Sequence, residues 1–172
     1  MKKFFKMFLC AAMIFSFSSA NVSAAVIDIS DDNILSFISK CNRELKKNDP
    51  NNNLDTPALS ETFRIYTETL KVNENFQVKF LYTTKDDKVC SIRLEPDKYD
   101  SEVKDFFEGM SIVYLKALGL TDEEIRKPTK ESGDKTEWRK EYFVPTLNKR
   151  FIVFLKNSKL TIVASDKQNT EE

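Results

Sequence analysis

The stretch Phe76–Leu94, FQVKFLYTTKDDKVCSIRL, decides the fold. Two runs of alternating apolar and polar residues flank a short Lys-Asp-Asp-Lys turn, the pattern of a β-hairpin with one buried face. On the first run Phe76, Val78, Phe80 and Tyr82 share a side. A two-residue Asp86-Asp87 turn in unbroken register would send Cys90, Ile92 and Leu94 to the opposite side. Because a slip of one residue turns over a whole strand, burial demands either an odd loop, Asp86-Asp87-Lys88, or a bulge.

A second hairpin reads more simply. In Phe151–Ala164, FIVFLKNSKLTIVA, a two-residue Asn157-Ser158 turn pairs Leu155 with Leu160, Val153 with Ile162 and Phe151 with Ala164, which makes one face wholly apolar. Further strands are expected over about residues 62–72 and 136–144.

Each group of strands follows a helix. In residues 31–47, DDNILSFISKCNRELKK, Ile34, Ile38, Cys41 and Leu45 recur at steps of four and three, with Asp31 or Asp32 as N-cap and Lys46 and Lys47 at the negative end of the dipole. Residues 101–119, SEVKDFFEGMSIVYLKALG, carry a broad apolar face from Val103 to Leu118, and Gly119 is placed to end it. A short helix starts at Thr121, where Glu124 completes a capping box. The order predicts an α+β fold: a helix and a three-stranded antiparallel meander, duplicated as αβββ-αβββ over residues 31–95 and 101–165. This gives a sheet of about six strands with two main helices on one face, the other face being left to solvent or a partner.

The first 24 residues read differently. Lys2, Lys3 and Lys6 precede an apolar run from Met7 to Phe17 and then small residues, the pattern of a secretory signal peptide cleaved after Val22-Ser23-Ala24, with Ser18-Ser19-Ala20 as the alternative site. Serines 16, 18 and 19 interrupt the run before it reaches the roughly 20 residues of a membrane span. The expectation is therefore a Sec-exported chain, periplasmic or secreted, with no transmembrane anchor after cleavage. Cleavage removes three lysines, so 24 basic residues remain against 27 acidic ones. That balance is no footprint for nucleic acid. The mature chain suits one domain over residues 25–165 followed by a disordered tail, 166–172.

Cys41 and Cys90 are the cysteines that remain. In an oxidising compartment they are expected to form a structural disulfide, with Cys41 on the apolar face of the first helix and Cys90 in phase with Ile92 and Leu94. Closing a loop of that length would contribute about 4 kcal/mol in the chain-entropy model.

The chain has no histidine, which removes Ser-His and Cys-His hydrolase arrangements and histidine-ligated metals. Its three glycines, Gly109, Gly119 and Gly133, are too far apart for a phosphate-cradling loop. Asp28, Asp31 and Asp32 lack the spacing and central glycine of a calcium loop. No catalytic residue, cofactor or metal is assigned.

The partner-binding candidates are Trp138, Arg139, Tyr142 and Phe143, because Trp, Tyr and Arg dominate interface hot spots. On a strand Trp138 and Tyr142 fall on one side and Arg139 and Phe143 on the other. The functional expectation is an exported binding protein using its open sheet face or loop edge, its partner a protein or small ligand outside the inner membrane. The alternative is a small cell-envelope enzyme using carboxylates or a thiol.

Overall fold

Strand pairing, rather than helix packing, organises the chain. A computed structural model describes residues 26–59 and 64–166. The expected signal peptide and most of the expected disordered tail lie outside the described residues. The strands are β1 (Val26–Ile27), β2 (Ala58–Leu59), β3 (Ile65–Lys71), β4 (Gln77–Lys85), β5 (Lys88–Pro96), β6 (Lys130–Gly133), β7 (Trp138–Val144), β8 (Lys149–Lys156) and β9 (Lys159–Asp166). The helices are α1 (Ile34–Asn48), α2 (Ser101–Ala117) and α3 (Asp122–Arg126), with a 3-10 turn at Pro145–Leu147. All strand pairs are antiparallel in the order β2-β3-β4-β5-β9-β8-β7-β6, and β1 also pairs with β9.

The α+β class holds, but six strands and an αβββ unit do not describe the sheet. Each half contributes a four-stranded meander, the first behind one helix and the second behind two, and the meanders join where β5 meets β9. The strands missed at the sequence level are short or polar. β2 is Ala58-Leu59 and β6 is Lys-Glu-Ser-Gly, exposed throughout. Their extended backbone is imposed by the neighbouring strand and not by an apolar pattern of their own.

In the first hairpin the turn keeps two residues, Asp86 and Asp87, both left-handed (φ 52° and 63°), and the strand takes the bulge. Thr83 pairs with Ser91 while its neighbour Thr84 pairs with Val89, so Cys90 is the extra residue. The bulge resets the phase: Val89, Ile92 and Leu94 turn inward to meet Thr84, Tyr82 and Phe80. Cys90 therefore leaves the Ile92 and Leu94 register and is half-buried, its thiol donating to the Thr83 carbonyl at 3.2 Å. Cys41 is fully buried on α1, and the two sulfurs are free. The expected disulfide is thus corrected, because the bulge that rescues burial of the strand also takes Cys90 out of the core layer.

The first helix also starts later than its acidic residues suggest. Asn33 caps α1 by accepting the Ser36 N–H at 2.9 Å, and Asp32 instead pairs with Lys40 at 2.6 Å. At α3 the capping box forms, with Thr121 and Glu124 exchanging hydrogen bonds.

One core joins the helices to one face of the sheet. Phe37 and Cys41 of α1, and Phe107 and Tyr114 of α2, pack over Phe80, Tyr82, Leu94 and Ile162. The Phe37 and Tyr114 rings stack at 6.1 Å, and Phe106 meets Phe76 and Phe80 edge-on. Ile125 of α3 packs against the same cluster. Among the described residues no helix is long and apolar enough to cross a membrane.

Candidate functional site

Strand alternation divides the sheet into the face that the helices cover and a second face with its own residue set. The register aligns two rows across the second face. One runs Arg139, Phe154, Thr161, Arg93, Leu81 and Thr67. The next runs Glu141, Ile152, Val163, Ser91, Thr83 and Ile65. Ile152 is 6% exposed yet stands outside the hydrophobic core cluster, which is the mark of a second, smaller apolar surface on this side.

Two ion clusters flank that surface. The Glu141 carboxylate, nearly buried, lies 3.1 Å from Arg139 Nε and 3.6 Å from Arg150 Nη1. The Glu95 carboxylate lies 3.0 Å from Lys159 Nζ and 3.8 Å from Arg93 Nη1. In each cluster one carboxylate is shared by two cations, so each carries a net positive charge. Sharing keeps the nearly buried Glu141 paired, which its desolvation requires.

The four candidate residues separate across the strand. Arg139 and Phe143 lie on the second face, Phe143 opposite Arg150. Tyr142 is 5% exposed in the core, and Trp138 packs against the core's edge with Lys140 Nζ 5.4 Å above its ring. Glu141, Arg150, Arg93, Glu95 and Lys159 were not singled out from sequence. Alternation in WRKEYFV does put Glu141 beside Arg139, but its second cation, Arg150, joins only through the β7 to β8 register.

Beneath the helices lies a different polar group. Glu68 of β3 enters the inner layer and accepts from Tyr82 Oη at 2.6 Å, and Tyr82 Oη lies 2.9 Å from Tyr114 Oη. Burial pushes the Glu68 carboxyl up to about 7 despite that hydrogen bond, with the Asp55 charge acting in the same direction. Burial drives both tyrosines well above their ordinary range. A surface groove of about 700 Å3 runs beside α1, walled by Leu35, Ile38, Asn42, Arg43, Lys46 and Asp55 among others, but Glu68 is not part of its wall. Asn42 holds the groove's far side by exchanging hydrogen bonds with Leu54 N–H and C=O at 2.7 and 3.0 Å.

Burial raises the Cys41 and Cys90 thiols as well, and the nearby charges of Glu68 and Asp28 add to it. Neither is a thiolate at neutral pH, so neither is an activated nucleophile. Comparison with protein-family models, with curated proteins and with solved structures found no match.

Proposed function

We propose that the mature chain is an exported, non-enzymatic binding protein that engages its partner through the sheet face opposite the helices. One-sided layering carries this reading: α1 and α2 bury most of their apolar residues in one cluster, against which Ile125 of α3 packs, while half-buried Ile65, Leu81 and Val163 lie on the other side of the same strands. Apolar side chains set among paired charges have the composition of an interface, a dry centre with a polar rim. The groove beside α1 is open and lined largely by polar side chains, which suits an enclosed small-molecule site less well.

The test uses the chain from Ala25 onward as bait in the native envelope or medium. Leu81→Asp should abolish specific retention of a macromolecule, while Lys116→Glu on the helix side should leave it intact. Equal retention by both variants, or retention of nothing specific, overturns the reading. Export is tested separately: chain recovered outside the inner membrane should begin at Ala25, and recovery of uncleaved chain from the cytosol alone overturns it.

The enzymatic alternative draws its support from Glu68, the one carboxyl among the described residues raised to the range of a general acid or base at neutral pH. Its enclosure by Tyr82 and Tyr114 favours a structural role. Turnover of any envelope substrate that Glu68→Gln removes, with the fold intact, would favour the enzyme.

A further inference from the structure

From the charge on this face we infer the chemistry of its partner: a protein surface presenting two groups of carboxylates on either side of an apolar strip. The inference rests on the sheet-face reading and adds to it the sign and spacing of the charges. Across strands β3, β4, β5, β7, β8 and β9, the second face carries carboxylates at Glu95 and Glu141 alone among its described residues. Cations stand at Lys71, Lys79, Lys85, Lys88, Arg93, Arg139, Arg150, Lys156 and Lys159, of which Lys88 already pairs with Asp31. Both carboxylates are already shared between two cations each, as described above.

Two further lysines of the face stand beside the Glu95 cluster. Lys79 sits directly opposite Glu95, as the third cation around one carboxylate, and Lys156 sits directly opposite Lys159. Like charges facing each other across a ladder repel, and since Lys159 already shares Glu95, an external anion would relieve Lys156. The mature chain is acidic overall, which means that the positive potential is concentrated on one face and does not reflect a generally basic protein.

Spacing narrows the partner further. Arg139 and Arg93 occupy one row, three strands apart, a separation of about 14 Å at the usual interstrand distance. Between the two clusters lie Val163, half-buried, and Ile152, which at 6% exposure offers little surface of its own. A phosphate backbone would lay continuous charge across these aliphatic side chains and meet a carboxylate inside each cluster. A protein surface with carboxylates at both ends and aliphatic groups between them matches every part of the pattern.

The experiment titrates the mature protein with a fluorescent peptide carrying two glutamate pairs about 14 Å apart, separated by aliphatic residues. Parallel titrations use the same peptide with lysine for glutamate, a single-stranded oligonucleotide and phosphatidylglycerol vesicles. The glutamate peptide should bind, weaken steeply with salt, and lose about tenfold in affinity on Arg93→Glu and on Lys159→Glu. Arg93→Ala serves as a milder variant, with thermal unfolding as the control for folding. No binding of the glutamate peptide, or equal binding of the lysine peptide, overturns the inference. Tighter binding of the oligonucleotide or vesicles overturns the partner class. A partner whose capture is lost on Leu81→Asp but is unmoved by salt and by Arg93→Glu would overturn the charge inference and leave the sheet-face reading standing.

Discussion

Glu68 enters the interior with hydroxyl and backbone partners and no cation within ion-pair distance among the described residues. Its folded-state pKa, near 7, lies above the ordinary value of 4.5, so the folded chain holds the proton more tightly than the unfolded chain. The stabilisation is fully present below about pH 4.5 and is lost as pH rises through 7. Allowing for the water that reaches a half-buried group, the effect is about 1–2 kcal/mol. Denaturant unfolding of the native chain and of Glu68→Gln should therefore diverge between pH 5 and pH 8, the native chain losing the more stability. Parallel profiles would refute the assignment. Tyr82→Phe removes the hydroxyl that joins Glu68 to Tyr114 and should cost about 1–3 kcal/mol by leaving both without it. Adding Tyr114→Phe should cost less than its own single substitution, because its partner is already gone. Periodicity placed Tyr82 on the buried side of its strand, but nothing in the sequence joins residues 68, 82 and 114.

At the scale of elements, the regular part of the fold is legible because it is periodic. Val103, Phe107, Met110 and Tyr114 repeat at helical steps, and the Phe151 to Ala164 register follows from pairing apolar residues across a two-residue turn. Sequence leaves out what is fixed by a neighbour: β1, β2 and β6, and the position of the bulge. Burial could demand a correction in the first hairpin without saying whether the turn or Cys90 would supply it. The consequence for the thiols is measurable. Under denaturing, non-reducing conditions a chain begun at Ala25 should titrate two thiols, and under native conditions the half-buried Cys90 should react before Cys41. The second turn offers a stabilising substitution. Asn157 and Ser158 both hold left-handed backbone, φ 51° and 61°, which strains any residue with a Cβ. Ser158→Gly creates the Asn-Gly pair favoured in this turn and should add about 0.5–1 kcal/mol, read as a higher thermal midpoint. Gly133 shows the reverse case. At φ 105° a Cβ would lie 2.2 Å from the Glu137 carbonyl oxygen, so Gly133→Ala should open the β6 to β7 turn.

For the whole molecule, the joint between the two meanders determines whether the proposed binding face is one surface or two. β5 and β9 pair over four residues, Ser91 to Leu94 against Leu160 to Val163, and beyond them the bulge at Cys90 ends the pairing. The N-terminal segment takes over there. Val26 and Ile27 pair with Ser165 and Ala164 of β9, and the Ile29 and Ser30 N–H groups both bond to the Val89 carbonyl of β5 at 2.8 and 3.2 Å. Ile29, 2% exposed, drives its side chain into the core between them. The segment therefore staples the two halves at the place where their own ladder stops. The Glu95 cluster depends on that joint, since Arg93 and Glu95 belong to one meander and Lys159 to the other, and the joint also fixes its distance from the Glu141 cluster, which lies wholly in the second meander. Ile29→Ala should cost about 2–4 kcal/mol through the cavity it leaves. A chain begun at Asp31 should lose more, because the β1 ladder and two backbone bonds go with the side chain. Loosening should concentrate at the joint, so hydrogen exchange should accelerate at Ser91 and Arg93 well before it does within β7 and β8. Uniform acceleration would mean that the N-terminal segment stabilises the core generally without joining its halves.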